Sequence, residues 1–101
     1  MGKTKVDKVL FRVSLPVSIL KEGKYFIAYT PVLDLSTSGR SFEKAKERFG
    51  KVVQIFFEEL LEKGTLDEVL GDLGWRKIKK EWTPPFVVAQ ESENFRVPLS
   101  L

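Results

Sequence analysis

Large apolar residues recur every three or four positions between residues 42 and 61, and this pattern predicts one long amphipathic helix. Ser41 suits the N-cap position, Glu43 lies in the first turn where the helix dipole is positive, and Gly64 supplies a C-terminal stop. A stripe of this width packs across a sheet, so we expect the core where the helix meets neighbouring strands. The residues of the predicted inward stripe are Phe42, Ala45, Phe49, Val52, Val53, Phe56, Leu60 and Leu61.

Alternating apolar and polar residues precede the helix and predict strands. The odd-numbered positions of Val9–Ile19 are all apolar, which is typical of a long half-buried strand, and Pro16 marks an edge strand or a bulge. Residues 21–24 form a tight connection into a second, antiparallel strand over residues 24–30. A short third strand is expected around residues 33–37, before the chain turns into the helix.

A second, shorter helix is predicted after the first. Thr65 followed three residues later by Glu68 is a capping-box pattern, and the helix is expected to end near Leu73. Gly50, in the middle of the long helix, costs about 1 kcal/mol relative to alanine. We therefore expect Gly50 to mark the close approach of a strand or of a partner's backbone.

Beyond the short helix, the chain divides into two parts. Residues 76–85 are expected to form a basic connector whose flanking tryptophans, Trp75 and Trp82, anchor on the core. Residues 86–101 form the predicted C-terminal strand segment, with strands at 86–89 and 95–99. This segment has three alternative partners: the strand at residues 9–19 of the same chain, a second protomer, or a different protein.

These elements predict an α+β fold in a single domain over residues 1–101. An antiparallel sheet of three to five strands packs on one long helix, with a short second helix behind it. Residues 1–8, which are polar and rich in lysine, are expected to form a flexible lead-in. No apolar run approaches the roughly 18 residues of a membrane span, so we expect a cytoplasmic protein.

The amino-acid composition excludes several classes of functional site. The chain has no cysteine and no histidine, which excludes disulfides, thiolate nucleophiles, imidazole bases and the common zinc sites. The net charge of +3 is modest and does not by itself indicate nucleic-acid binding. Few Gln and Asn residues beside abundant Lys and Glu favour a thermophilic source.

The acidic residues do not form a sequence pattern that predicts a catalytic site. Hydrolysis by two metal ions needs three or four acidic residues that converge near strand ends. Only Asp34, near a strand end, and Glu43, at the start of the long helix, approach that pattern. The acids expected on solvent-exposed helix faces are Glu47, Glu58, Glu59, Glu62, Asp67 and Glu68. We expect Asp34 to form a turn or cap, and we expect no enzymatic activity, metal or cofactor.

Residues Tyr25–Trp75 resemble the HicB-like antitoxin family, the partners of small HicA ribonuclease toxins. The matching features are the strand that ends in Tyr29-Thr30-Pro31, the Leu/Asp/Ser/Thr loop that closes on Gly39, and Ser41-Phe42-Glu43-Lys44-Ala45 opening the helix. The resemblance implies a partial ribonuclease H-like fold, homodimers, and masking of a HicA-type toxin. The family's Pro-Gly-Cys-like turn is replaced by Leu33-Asp34-Leu35-Ser36, and the additional DNA-binding domain of many members is expected to be absent.

Two surfaces are predicted to contact partners. The antitoxin interpretation assigns a protein partner to the loop and to the C-terminal strands; these residues are Val32, Leu33, Asp34, Leu35, Phe86, Val88, Phe95 and Val97. Two alternatives remain open. One is a stand-alone homodimeric domain without a toxin. The other is a nucleic-acid binder in which bases stack on the tryptophans and phosphates meet the basic residues Arg76, Lys77, Lys79 and Lys80.

Overall fold

A computed structural model describes residues 12–100 and confirms the α+β class. A three-stranded antiparallel sheet is followed by a long and a short helix and by a separate two-stranded sheet. The elements are β1 (Ser18–Glu22), β2 (Tyr25–Thr30), β3 (Leu35–Gly39), α1 (Phe42–Lys63), α2 (Leu66–Asp72), β4 (Arg76–Ile78) and β5 (Glu81–Thr83).

The sheet has β2 at its centre, paired with β1 on one side and β3 on the other. Ile19 is opposite Ala28 and Ala28 is opposite Thr37, so these residues share the face that packs on α1. Leu20 and Ile27, which are also opposite each other, lie on the other face. Alternation along β1 and β2 therefore places one apolar set toward the helix and a second apolar set on the opposite face.

The predicted strand at residues 9–19 is wrong for most of its described length. β1 begins only at Ser18, which is opposite Tyr29, and residues 12–17 form no strand; residues 9–11 lie outside the described part, as do residues 1–8. The register explains this result, because any strand before position 17 would face the turn at residues 31–34 and find no ladder partner. Val13 and Leu15 pack against the core instead.

Helix α1 has the predicted caps. The Ser41 hydroxyl accepts a hydrogen bond from the Lys44 amide at 3.0 Å, and Gly64 ends the helix in a left-handed conformation. Thr65 does not use its side chain as the predicted cap of α2. Its amide already donates to the Leu60 carbonyl at 2.9 Å in the Schellman turn that ends α1, and its ψ of 15° is not the extended value typical of a capping residue.

Two neighbouring clusters form the core along α1. Ala45 and Phe49, in its first half, pack on Ala28 of the sheet. The second half packs on the loop after β2 and on α2, through buried side chains that include Leu60, Leu70 and Trp75. The prediction that Phe42 and Leu61 face inward is wrong, because these side chains are 45% and 65% exposed. Leu61 lies about 100° around the helix axis from buried Leu60, and the first-turn Phe42 ring lies under the Lys46 ammonium instead.

The predicted basic connector is a β-hairpin. β4 and β5 pair through Arg76–Thr83, Lys77–Trp82 and Ile78–Glu81, and the turn consists of Lys79 and Lys80. Both turn residues have positive φ angles, 52° and 70°, as in a type I′ turn. The expected anchoring of the two tryptophans is confirmed, since Trp75 is buried and Trp82 packs against the same cluster.

Candidate functional site

The C-terminal segment, defined as residues 86–100, is the most exposed apolar part of the described chain. No helix or strand forms within it, so the predicted strands at 86–89 and 95–99 are wrong for this chain taken alone. A strand needs a ladder partner, and no described strand of this chain pairs with the segment. Its strongly exposed side chains, between 76% and 88% accessible, are Phe86, Val88, Phe95, Val97 and Leu99.

The base of this segment is fixed to the folded domain. Trp82 packs on the core, and Pro84 and Pro85 are half-buried. The Pro85 ring lies so near Gly74 that a Cβ built there would be 3.6 Å from its Cγ. The segment therefore leaves the domain from a defined position with its apolar side chains unpacked.

The pattern of the segment is that of a strand without a partner. Residues 86–89 are an unbroken apolar run in which Phe86 and Val88 are more exposed than Val87. Apolar residues then alternate at 95, 97 and 99, and the stretch between the two parts carries Glu91 and Glu93. Full burial of each such side chain is worth about 1.5–3 kcal/mol. Contiguous exposed apolar surface of this kind marks interaction sites in folded proteins.

A second unpaired apolar surface lies on the sheet. We define the open sheet face as Leu20, Tyr25, Ile27 and Tyr29, which alternate with the residues that face α1. None of these four side chains belongs to either core cluster, and Leu20 and Tyr25 are exposed. This surface was not predicted from the sequence, although the unbroken apolar run of β2 was a signal for it, since such runs are typical of strands covered on both faces.

The loop predicted to contact a partner is mostly core. Val32 and Leu33 are only 6% and 2% exposed, and the Trp75 indole donates a hydrogen bond of 2.8 Å to the Val32 carbonyl. The prediction that these two side chains contact a partner is therefore wrong, because a partner could reach little of their surface. Leu35 is half-buried against both clusters. Asp34 is exposed at a φ of 53° and accepts a long hydrogen bond, 3.4 Å, from the hydroxyl of Tyr29.

The basic hairpin has exposed charges, and of its two tryptophans Trp75 is buried and Trp82 is half-buried. Arg76, Lys77, Lys79 and Lys80 are all exposed. The Lys77 ammonium lies 3.6 Å from an Asp67 carboxylate oxygen and 5.6 Å from the centre of the Trp82 ring. Since Trp75 is buried, the predicted stacking of bases on that ring is wrong.

The acidic residues form no metal-binding group within the described range. Among residues 12–100, no group of three or more Asp or Glu side chains is placed to hold a metal ion. A hydrogen bond of 3.2 Å from the Lys44 ammonium, together with the charges of Lys44 and Lys51, lowers the pKa of Glu47 on the exposed face of α1. In the same range, no helix combines the length and apolarity that crossing a membrane requires.

A third, smaller apolar patch lies on the outer face of α1. Ile55 and Leu61 are exposed beside three glutamates and line an open groove of about 370 Å³; the glutamates are Glu58, Glu59 and Glu62. These negative charges stand near the C-terminal end of the helix, where the dipole disfavours them. The patch lies apart in sequence from the C-terminal segment and from the open sheet face, which makes it a suitable control surface.

Comparison with known proteins adds no relative. No family model, no curated protein and no solved structure matches this chain. The HicB-like resemblance therefore depends on the residues from Tyr25 to Trp75 alone.

Proposed function

We propose that this chain is a protein-binding domain of the antitoxin type, which masks a small HicA-type ribonuclease by steric occlusion and catalyses no reaction itself. The observation that carries the proposal is the C-terminal segment, whose large apolar side chains lie open to solvent on a fixed base. The resemblance of residues Tyr25–Trp75 to HicB-like antitoxins supports the identity of the partner.

The segment suits recognition of an extended strand. An extended peptide adds to a sheet edge through main-chain hydrogen bonds, while alternate side chains enter pockets of the partner. Phe86 and Val88, and then Phe95 and Val97, supply two pairs of such side chains. Binding must offset the ordering of the segment, so its aromatic anchors are expected to dominate the affinity. A segment seated on the toxin would block the approach of RNA.

The test starts with capture of the partner and ends with its activity. Tagged protein is used to isolate bound proteins from the source cells, and mass spectrometry identifies any small basic protein present at one-to-one stoichiometry. The purified partner is then assayed for RNA cleavage with and without the chain. The expected result is cleavage that the chain suppresses in proportion to its amount.

A variant pair connects this inhibition to the segment. Phe86→Ser with Val88→Ser removes two exposed apolar side chains and is expected to weaken inhibition at least tenfold, since each buried side chain is worth more than about 1.4 kcal/mol. The matched control, Ile55→Ser with Leu61→Ser, changes the patch on α1 and is expected to inhibit normally. A captured protein that cleaves no RNA, or equal inhibition by both variants, would contradict the proposal. Recovery of the chain with itself alone would favour a stand-alone homodimer.

A further inference from the structure

The central strand of the sheet is apolar on both faces, although α1 covers only one of them. Phe26 and Ala28 face α1, whereas Tyr25, Ile27 and Tyr29 belong to the open sheet face. A continuous apolar run is typical of a strand that is buried on both sides. The run therefore indicates that a second apolar layer covers the open sheet face.

We infer that the C-terminal segment of one copy covers the open sheet face of a second copy, and that the exchange is reciprocal. The chain carries both surfaces, and the high exposure of the segment's apolar side chains shows that the two are unmatched among residues 12–100. A two-fold symmetric pair matches both surfaces at once, because each copy donates a segment and accepts one. Such an assembly is closed and leaves neither surface free to recruit further copies.

The area involved is sufficient for a stable dimer. The five strongly exposed side chains of the segment include two phenylalanines, 80% and 78% accessible. Taking about 150–250 Å² for each aromatic ring and somewhat less for the aliphatic side chains, one segment offers roughly 600 Å² of apolar surface. The open sheet face offers less, because Ile27 and Tyr29 are already half-buried. If each face and the part of the segment on it bury about 300 Å² apiece, the two contacts bury roughly 1,200 Å² in total, the area at which stable interfaces begin.

Charged residues of both signs lie at the rim of the open sheet face. Glu22 is opposite Tyr25, Asp34 accepts a hydrogen bond from the hydroxyl of Tyr29, and the Arg40 guanidinium lies 5.9 Å from the centre of the Tyr25 ring. The C-terminal segment also carries both signs, with Glu91, Glu93 and Arg96. Net charge therefore does not favour the pairing, and the apolar contacts supply its affinity.

This inference goes beyond the proposed function, since the occupant is a second copy and not a toxin. Both proposals use the C-terminal segment, so a bound toxin is expected to displace the second copy. The purified protein alone tests the dimer, and the outcome is therefore independent of whether a toxin exists.

Sedimentation of full-length variants tests the exchange. The wild type is expected to be a dimer at micromolar concentration. Leu20→Glu alters the open sheet face, and Phe95→Ser with Val97→Ser alters the segment. Each is expected to raise the dimer dissociation constant at least a hundredfold, because every altered contact occurs twice in the dimer. Controls on α1 are Leu61→Glu, at a leucine of similar exposure (65% against 54% for Leu20), and Ile55→Ser; both are expected to remain dimeric.

Mixing the two interface variants separates reciprocal exchange from other dimers. Each variant is monomeric alone, but the mixture retains one intact segment on one intact face, so a one-to-one heterodimer is expected. Circular dichroism verifies that each variant is folded, and Leu20→Ser replaces Leu20→Glu if the charged variant is not. A monomeric wild type, dimers of either interface variant alone, or a mixture that stays monomeric would each overturn the inference.

Discussion

The contact between Gly39 and α1 permits a sharp test of the fold. Gly39 ends β3, and a Cβ built on it would lie 2.6 Å from the Ala45 amide nitrogen and 2.9 Å from the Ala45 Cα and the Lys44 carbonyl carbon. These are backbone atoms, which cannot rotate away as a side chain can. Because the φ angle of Gly39 is outside the left-handed region, alanine would be strained only by this clash.

The clash determines how much free energy of unfolding Gly39→Ala loses. Gly39→Ala forces the start of α1 away from the sheet and loosens the packing of Ala45 on Ala28, both of which are fully buried. Overpacking of this kind costs about 1–3 kcal/mol, against which alanine gains about 0.4–1 kcal/mol from the smaller entropy of the unfolded chain. We expect a net loss of about 1 kcal/mol, and thus a fall in Tm of roughly 4–8 °C for a domain of this size.

Urea denaturation followed by tryptophan fluorescence measures this loss, since Trp75 is buried in the folded state. The matched control is Gly50→Ala, in the middle of α1. An added Cβ there meets no atom within 4 Å, so the close approach of a strand expected for Gly50 is wrong among residues 12–100. Gly50→Ala is expected to raise the free energy of unfolding by about 1 kcal/mol through helix propensity alone. If Gly39→Ala were as stable as the wild type, or if both substitutions shifted stability equally, the close approach of α1 to β3 would be refuted.

Three further predictions concern single features of the fold. Thr30 is fully buried and its hydroxyl has no hydrogen-bond partner among residues 12–100, so Thr30→Val is expected to raise the free energy of unfolding by about 1 kcal/mol in the same assay; a loss would indicate a partner for that hydroxyl. Replacing the left-handed Lys79-Lys80 turn with Asn-Gly is expected to stabilise the hairpin by about 1–2 kcal/mol, measured by thermal unfolding, and an unchanged Tm would argue against a type I′ turn. If the hairpin binds nucleic acid, changing Lys77, Lys79 and Lys80 to Gln should weaken binding of single-stranded RNA or DNA and flatten its salt dependence, as fluorescence anisotropy would detect; no binding by the wild type at low salt would exclude that alternative.

The elements that the sequence predicts correctly are those set by local interactions. The 3.6-residue period, the Ser41 cap and the Gly64 stop define α1 without reference to the rest of the chain. The β1–β2 hairpin is similarly local, although its turn lies at Gly23 within a shorter strand pair than the alternation suggests. Short-range patterns of this kind depend on interactions between residues that are close in sequence, so they can be recognised from the sequence alone.

Only part of the candidate site could be predicted from the sequence. Phe86, Val88, Phe95 and Val97 were predicted as partner contacts, and they are exposed. Val32 and Leu33 were also predicted, but they are buried, because Trp75, 43 positions away in sequence, closes over the loop and hydrogen-bonds to it. Nothing near the loop in sequence signals that contact. The apolar run of β2 does signal a second apolar face, but which face stays open depends on which one α1 covers.

The sequence by itself determined the class of the fold, the two helices and the apolar character of the C-terminal segment. Tertiary structure decided where the strands begin and end, which apolar residues are core, and which remain without a partner. Because of the register of β1 on β2, residues 12–17 have no strand to pair with, and none of the described strands pairs with residues 86–100. Strand formation depends on a partner that is distant in sequence, whereas a capped helix satisfies its own hydrogen bonds.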